Sequence, residues 1–379
     1  MISALQTGLS SLIMGFGMLT MQNIIMMAVG CGLLYLGIKK DYEPLLLVPI
    51  GFGALLVNIP LANMMEAGGL LRHFYDFGVI TEIFPCLIFV GIGAMTDFGP
   101  LLENPKILLL GAAGQFGIFL TLMLALFLGF SQLDAVAIGI IGACDGPTSI
   151  YVTSKFAPHL LGAVSVAAYS YMSLVPLIQP PIMRLLTTDK ERKVRMEYPK
   201  KSVSTATKIL FPIVVTIVTC IIAPMGTPLM GMIMLGNLMR ESGVVSRLTS
   251  ASENEINNIV TLLLGLSIGA TMEGSKFLNT QTLMILGLGL IAICLDTVTG
   301  VLFGKLMCFL TKGKINPLIG AAGISAYPMA ARVAQHEGRK YDEDNWLLMH
   351  AIGANTGGQI GSVMAAAIML SVLKGMGIG

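Results

Sequence analysis

The stretch Gly142-Ala143-Cys144-Asp145-Gly146-Pro147-Thr148-Ser149 interrupts a long apolar part of the chain. Pro147 has no backbone N–H and Gly146 tolerates positive φ, so a helix that arrives here ends with free carbonyl groups. These carbonyls and the Asp145 carboxylate would face a cation inside the membrane, where an ionised acid is costly unless it is paired or binds an ion. Alternatively, Asp145 only caps the helix that begins at Pro147.

The rest of the chain has the composition of an integral membrane protein. Of its 379 residues, 55% are hydrophobic and only 12% are charged, and the mean hydropathy is +0.81. A soluble globular chain carries about a quarter charged residues. A net charge of +2 without a long basic run argues against nucleic acid as a partner. The alternating pattern of a membrane β-barrel is missing, so the sequence predicts an all-α polytopic membrane protein.

Apolar segments long enough to cross the hydrocarbon, about 20 residues each, recur along the chain. They lie at 21–38, 79–98, 106–130, 159–185, 208–225, 256–272, 281–311 and 345–374. Shorter apolar pieces, interrupted by Gly and Pro, lie at 44–60, 133–155, 226–240 and 315–331. Transporters place substrate and ion sites at such short or broken helices. Residues 1–20 carry their apolar side chains on one helical face, which favours an interfacial helix over a signal peptide.

The two halves of the sequence resemble each other at a nearly constant offset. Six residues recur 176 positions later: Ile92, Gly93, Ala94, Leu102, Leu110 and Gly111 match Ile268, Gly269, Ala270, Leu278, Leu286 and Gly287. We interpret this as two inverted structural repeats, 21–183 and 209–379, although shared Gly and Leu composition could also produce such matches. The basic segment 184–208 that joins the repeats is predicted to be a cytoplasmic linker.

The second repeat has its own proline-bounded segment, 316–328, at the place that corresponds to the Asp145 stretch. Asn316 and Ser325 in this segment offer neutral oxygens, which suit a hard cation such as Na⁺ without adding a second charge. Taken alone, Asn316 could equally be a helix cap. In the last apolar span Asn355 lies among glycines, and close helix packing would explain the glycines but not the asparagine. Together these residues predict an ion site near the membrane midplane.

Other polar side chains in the apolar spans are weaker candidates. Arg332 is either an anchor that reaches the membrane interface or a ligand for an anionic substrate. Tyr169 and Tyr171 lie in one predicted span, where packing is the default explanation. Three further embedded side chains are kept in reserve: Asp296, Glu273 and His350.

Four segments, taken together, resemble one known family. They are Gly91-Ile92-Gly93-Ala94-Met95-Thr96-Asp97-Phe98-Gly99-Pro100, Asp145-Gly146-Pro147-Thr148, Ala167-Ala168-Tyr169-Ser170-Tyr171-Met172 with Pro176-Leu177-Ile178-Gln179-Pro180-Pro181, and 316–332. In this order they are similar to the membrane beta subunit of sodium-pumping biotin-dependent decarboxylases, which act on oxaloacetate, methylmalonyl-CoA or glutaconyl-CoA. The resemblance spans nearly the whole chain. It implies that carboxybiotin, supplied in trans by a biotin carrier subunit, loses CO₂ here while Na⁺ is exported and a proton is consumed.

The resemblance also implies which residues couple these events: Asp145, Tyr171, Asn316, Gly320, Ser325, Arg332 and Asn355. Among them, the predicted catalytic residues are Asp145, Tyr171, Ser325 and Arg332, with Arg332 also binding carboxybiotin. The predicted Na⁺ ligands are Asp145, Asn316, Ser325 and Asn355. The resemblance further implies a biotin carrier and carboxyltransferase subunit, a small single-span membrane subunit, a homo-oligomer, and a location in the bacterial or archaeal cytoplasmic (inner) membrane.

A secondary transporter for ions or organic anions is the alternative, because it could use the same repeats without decarboxylation. Moving one Na⁺ against about 100 mV costs about 2.3 kcal/mol, so export needs an energy source. The sequence has no G-x-x-x-x-G-K-[ST] phosphate loop and no Met-Lys-Met biotin attachment sequence. Biotin must therefore come from another polypeptide, and the full motif set favours the decarboxylase subunit.

Overall fold

The computed structural model describes residues 14–40, 43–197 and 203–377, and these residues form helices joined by turns and short extended segments. The α-helices are α1 Met21–Lys40, α2 Pro44–Val57, α3 Leu70–Phe74, α4 Ile83–Met95, α5 Gly99–Glu103, α6 Leu108–Ala113, α7 Phe116–Phe127, α8 Gln132–Gly139, α9 Gly146–Phe156, α10 Leu161–Leu186, α11 Asp189–Arg192, α12 Thr205–Ile222, α13 Thr227–Ser242, α14 Ser246–Ala251, α15 Asn257–Ala270, α16 Gly274–Phe277, α17 Thr280–Leu310, α18 Met329–Arg339 and α19 Leu348–Gly375. Short 3₁₀ or π segments extend or connect several of them.

Within the described ranges, six helical stretches are long and apolar enough to cross a membrane. They are Met21–Lys40, Pro105–Phe127, Pro158–Leu186, Thr205–Ile222, Thr280–Leu310 and Leu348–Gly375. The pair Leu70–Ile80 and Ile83–Met95 passes the same length and composition test but bends by 62°. The predicted all-α polytopic membrane fold is confirmed. Residues 1–13 of the predicted interfacial helix lie outside the described residues.

The stretch predicted as a full-length span at 256–272 contains α15, which is not among the helices that pass the length and composition test. α15 has 14 residues, about 21 Å at 1.5 Å per residue. It continues α14 and the π segment Ser252–Ile256 without a break, and the chain turns at Thr271. The predicted short piece at 44–60 is also a 14-residue helix, α2, and α2 packs along α15.

The packing of these short helices is consistent with the repeat that the sequence predicts. α2 packs on α15 from the other half of the chain, and α13 packs on α4 in the same way. A Cβ on Gly53 would lie 2.5 Å from the carbonyl oxygen of Leu266, and a Cβ on Gly236 would lie 2.1 Å from that of Val90. Both pairs of backbones therefore approach as closely as only glycine allows.

Equivalent hydrogen bonds join the two halves as well. The side-chain amide of Asn58 donates to the carbonyl of Met272 at 2.8 Å, and that of Asn237 donates to the carbonyl of Thr96 at 2.9 Å. Thr96 and Met272 are separated by the offset of 176 found in the sequence. This arrangement is consistent with inverted repeats, and the boundaries 21–183 and 209–379 stay predictions.

Two segments fold back on themselves at a break and are called interrupted hairpins here. The first consists of α8, the 3₁₀ segment Ile140–Ala143 and α9; the second consists of the 3₁₀ segment Pro317–Gly323 and α18. They enter the bundle from opposite ends of α10. The outer end of the first, in α8, is fixed near the start of α10 by the contact between the His159 imidazole and the Asp134 carboxylate, whose nearest atoms are 3.2 Å apart. The flank of the second is fixed beyond the end of α10, because Asn316 donates to the carbonyls of Arg192 and Val194 at 2.9 and 2.8 Å. The predicted breaks at 133–155 and 315–331 are confirmed.

Candidate functional site

The first break lies between α8 and α9. A 3₁₀ segment, Ile140–Ala143, ends at Cys144, which adopts left-handed φ of 52°, and Asp145 then caps α9. One carboxylate oxygen of Asp145 accepts from the Thr148 backbone N–H at 3.2 Å; the other accepts from the Thr148 hydroxyl at 2.7 Å and the Ser362 hydroxyl at 2.9 Å. The side chain is therefore a helix cap, as one interpretation of the sequence held. It also lies at the crossing of the two hairpins and against α19.

The second break follows the 3₁₀ segment Pro317–Gly323. Here the chain extends at Ile324, and the backbone N–H of Ser325 donates to the carbonyl of Ala143 at 3.0 Å. The Ser325 hydroxyl donates to the Gly358 carbonyl at 2.9 Å. The two interrupted hairpins thus touch each other directly, and α19 lies beside their contact.

Amide side chains of α19 hold the second break in place. Asn355 donates to the carbonyls of Ala322 and Ile324 at 3.1 and 2.6 Å, and Gln359 donates to that of Ser325 at 2.6 Å. The amide oxygens of both residues are buried and have no hydrogen-bond partner within the described ranges. A buried oxygen without a donor is costly in an apolar interior, and such neutral oxygens are the ligands a hard cation prefers.

A cavity of about 460 Å³ connects the crossing with α18. Asp145, Gln359, Ser325 and Arg332 contribute to its wall. Arg332 is exposed, and its guanidinium makes no hydrogen bond or ion pair with any side chain of the described residues. The cavity therefore presents an acid with neutral oxygens at one point and an unpaired cationic side chain at another.

Three of the predicted site residues, Asp145, Ser325 and Arg332, line this cavity together. Asn355 lies behind Ser325 and supports the break through the hydrogen bonds described above. The structure therefore brings these four residues to one place, from α18, α19 and the two breaks. Their roles in catalysis and Na⁺ binding stay predictions.

The other predicted residues lie elsewhere in the bundle. Asn316 accepts from the Leu318 backbone N–H at 2.9 Å while its amide group donates to the linker, so all of its polar atoms have protein partners. The Tyr171 hydroxyl donates to the Leu286 carbonyl at 2.6 Å on the α17 side of α10. A Cβ on Gly320 would lie 2.1 Å from the Gly300 carbonyl oxygen, so Gly320 permits close packing on α17.

Sequence reasoning missed the residues that contact Asp145 directly or share its cavity. Thr148 and Ser362 donate to the carboxylate, and the Tyr169 ring lies against Gly146, where a Cβ would approach it to 2.2 Å. Thr148 could have been found from the sequence, because a capping Asp side chain accepts a hydrogen bond from the residue two or three positions after it. Ser362 and Gln359 are three residues apart on one face of α19, inside the glycine-rich stretch from which only Asn355 is predicted as a site residue.

Asp296 is the most deeply buried of the reserve candidates. One of its oxygens accepts from the Gly117 backbone N–H at 2.6 Å, and the other has no partner within the described ranges. Gly117 and Gly142 both face the carboxyl group closely: a Cβ would lie 2.1 Å from one of its oxygens at Gly117 and 2.9 Å from the other at Gly142, so either would displace the Asp296 side chain. Glu273 pairs with Lys276 at 2.7 Å near the protein surface, and His350 is buried in α19.

A polytopic bundle whose two interrupted hairpins meet beside an acid defines a class of membrane transport proteins. Within this class, residues 22–373 match the family of the Na⁺-transporting oxaloacetate decarboxylase beta subunit, and the chain belongs to this family. It is 52% identical to the methylmalonyl-CoA decarboxylase subunit beta of Propionigenium modestum, covering 94% of this chain and 96% of the relative. It is 54% identical to the glutaconyl-CoA decarboxylase subunit beta of Acidaminococcus fermentans, over 95% and 96%. It is 48% identical to the oxaloacetate decarboxylase beta chain of Klebsiella pneumoniae, over 97% and 99%.

These comparisons confirm the family predicted from the sequence motifs. The chain is a multi-pass membrane subunit of a Na⁺-translocating decarboxylase, and such a subunit works within a multi-subunit complex. The three relatives act on three different acids or acyl-CoA thioesters, although their identities to this chain are similar. The donor acid is therefore a property that the beta subunit alone does not identify.

Proposed function

We propose that this subunit decarboxylates carboxybiotin delivered by a partner and uses the reaction to export Na⁺. The observation that carries the proposal is the cavity of about 460 Å³, which joins the unpaired Arg332 to the Asp145 carboxylate. One cavity then receives both the anion that reacts and the cation that moves. Family membership supports the decarboxylase and Na⁺ parts of the proposal.

Arg332 is the side chain suited to the anionic substrate. Carboxybiotin carries its carboxylate on a ureido nitrogen, and a planar guanidinium binds a carboxylate through two parallel hydrogen bonds. Arg332 follows the second break at the start of α18, so its position depends on that break. In decarboxylation the bond between this nitrogen and the carboxylate carbon breaks, CO₂ leaves, and the nitrogen takes up one proton.

Asp145 is the residue suited to Na⁺ and to that proton. The carboxylate and the unpartnered amide oxygens of Gln359 and Asn355 flank the crossing of the hairpins. A single buried carboxylate can neutralise one Na⁺ or one proton at a time, because a second positive charge would lack a counter-charge. Exchange of the two at Asp145 therefore links proton consumption to Na⁺ release.

The proposal includes the partners implied by the sequence resemblance. Biotin arrives on a biotin carrier and carboxyltransferase subunit, since this chain has no biotin attachment sequence. A small single-span membrane subunit and further copies of this chain complete the complex. The relatives that are named as subunits support a multi-subunit assembly.

The proposal is tested with the purified complex in proteoliposomes, by measuring Na⁺-stimulated decarboxylation together with Na⁺ uptake. We expect Arg332→Gln to lose both activities, because the carboxybiotin anion loses its charged partner, and Arg332→Lys to retain a small part of them. Arg339→Gln is the matched control: Arg339 lies on the same helix but stacks on Trp346 at 5.0 Å, outside the cavity lining. Equal decarboxylation in Arg332→Gln and Arg339→Gln would contradict the proposal.

A further inference from the structure

A second polar cavity, of about 270 Å³, lies at the end of the bundle opposite the linker. Gly162 and His159 line it near the start of α10, and Thr271 and Glu273 line it after the end of α15. The Asp145 cavity reaches the other half of α15 through Asn257 and Thr261. The two cavities therefore meet the same pair of helices, α10 and α15, at different heights.

One face of α10 runs from the second cavity to the first. Gly162, Ser165, Tyr169 and Met172 follow each other at spacings of three and four residues, which places them on one side of a helix. Gly162 lines the opposite cavity, while Tyr169 and Met172 line the Asp145 cavity. Ser165 therefore lies between the two cavities. Tyr171 is on the other side of the helix and contacts α17.

The two hydroxyl groups on this face are buried without partners. Ser165 is completely buried and Tyr169 is 2% exposed, and neither hydroxyl has a hydrogen-bond partner within the described residues. Other buried hydroxyls of α10 and its C-terminal cap are paired: Ser173 donates to the Ser170 carbonyl, and Thr187, directly after the helix, donates to the Met183 carbonyl, both at 2.6 Å. A buried hydroxyl without a hydrogen-bond partner is unfavourable. A polar species that passes this face of α10 would therefore be stabilised by binding to the two hydroxyl groups.

Apolar side chains separate the cavities. Leu264 and Ile268 of α15 are buried in the same apolar cluster as Val166 and Tyr169 of α10. They lie on α15 between Thr261, at the Asp145 cavity, and Thr271, at the opposite one. Water and a hydrated ion cannot pass this apolar contact until α10 and α15 move relative to each other.

We propose that the cavity lined by His159, Thr271 and Glu273 is the outer vestibule through which Na⁺ leaves. Ser165 and Tyr169 line the route to it from Asp145, and Leu264 with Ile268 close this route in the structure described here. The inference rests on the proposed function, because it assigns the exit of the ion that Asp145 binds. The ligand class is a monovalent cation with its water, since among the described residues the wall between Asp145 and the vestibule offers two hydroxyl oxygens and no acid before Glu273.

The test uses single cysteines in the complete complex, reconstituted after the native cysteines are replaced. Ser165→Cys probes the route, Thr271→Cys the vestibule, and Val164→Cys the buried α10 side that faces away from the route. A membrane-impermeant thiol reagent is added only on the side opposite the linker, with and without turnover. We expect Thr271→Cys to react in both conditions, Ser165→Cys to react during turnover and lose Na⁺ uptake, and Val164→Cys not to react.

The possible failures are distinguishable. If the wild-type complex, before its cysteines are replaced, does not couple decarboxylation to Na⁺ uptake, the proposed function fails. If the cysteine-free complex pumps and Thr271→Cys does not react with the reagent added opposite the linker, the vestibule is misassigned. If Thr271→Cys behaves as expected but Ser165→Cys stays unreactive during turnover, or reacts no faster than Val164→Cys, the route along α10 is wrong.

Discussion

The backbone N–H of Ser325 donates to the carbonyl of Ala143 at 3.0 Å, so the two breaks of the bundle are hydrogen-bonded to each other. Ala143 comes two residues before Asp145, and Ser325 comes seven residues before Arg332. A shift of either hairpin therefore moves the acid and the cationic side chain relative to each other. This contact gives a physical link between the anion that reacts at Arg332 and the cation at Asp145.

Asp145→Asn tests the coupling acid. The substitution keeps the shape and one oxygen but removes the charge and the titration, so we expect loss of Na⁺-stimulated decarboxylation and of Na⁺ uptake in a folded complex. Asp145→Glu should keep a weakened activity with a shifted pH profile. Asp296→Asn is the matched control, because Asp296 is also fully buried but lines neither cavity. Pumping by Asp145→Asn together with inactive Asp296→Asn would reverse the assignment.

Asn316→Ala separates two roles of this asparagine. Asn316 and Asn345 both donate to the carbonyls of Arg192 and Val194. These two side chains together hold the linker in place, an arrangement called the clamp here. If the clamp is their function, both alanine variants should lose roughly 1–3 kcal/mol of stability through unsatisfied carbonyls. Thermal unfolding of the purified subunit measures this loss. A reduced Na⁺ affinity in Asn316→Ala alone would instead support Asn316 as an ion ligand.

The sequence predicted the breaks and the acid because they depend on local chemistry. Proline and glycine beside Asp145, and the prolines that flank Ser325, interrupt helices wherever the chain folds. The offset of 176 also indicated which segments correspond. These signals place Asp145 and Ser325 at corresponding breaks before any coordinates are known. They leave Arg332 as either an interfacial anchor or an anion ligand, and only the family resemblance implies that it belongs to the site.

The residues that were missed depend on long-range packing. Ser362 reaches Asp145 only because α19 crosses the first break, and nothing near Ser362 in the sequence indicates that contact. Tyr169 and Tyr171 are two residues apart in the sequence, yet they face different sides of α10, toward the cavity and toward α17.

Lys190→Cys tests the orientation of the linker. Lys190 is exposed beyond the end of α10, and the positive charge of segment 184–208 predicts that it is cytoplasmic. In an otherwise cysteine-free chain it should resist an impermeant thiol reagent in intact cells and react in inverted vesicles. Lys276→Cys, exposed at the opposite end, should show the reverse pattern. Labelling of Lys190→Cys in intact cells would overturn the topology.

Glu337→Gln tests how the linker end of α10 is attached to α18. Burial opposes ionisation of Glu337, but hydrogen bonds from Arg184, at 2.5 and 2.9 Å, and from Lys340 hold its pKa below the usual range. A lowered pKa in the folded state stabilises the fold above the unfolded pKa, and this stability is lost as the pH falls through the folded value. We expect the variant to be less stable at neutral pH by roughly 1–3 kcal/mol. Its stability should also change less between neutral and acidic pH than that of the wild type, as unfolding at each pH would show.

Glu82→Cys with Lys155→Cys tests whether the first hairpin moves during pumping. Lys155 at the end of α9 pairs with Glu82 before α4 at 2.9 Å, and this pair joins the hairpin to a helix that packs on α13. If Na⁺ transport requires the two hairpins to move together against the surrounding helices, a short bis-thiol bridge between these positions should stop Na⁺ uptake. Na⁺ binding should remain measurable, because neither position lines the Asp145 cavity. The single variant Lys155→Cys, treated with the same reagent, should keep pumping. Unimpaired transport with the bridge complete would show that the first hairpin is static.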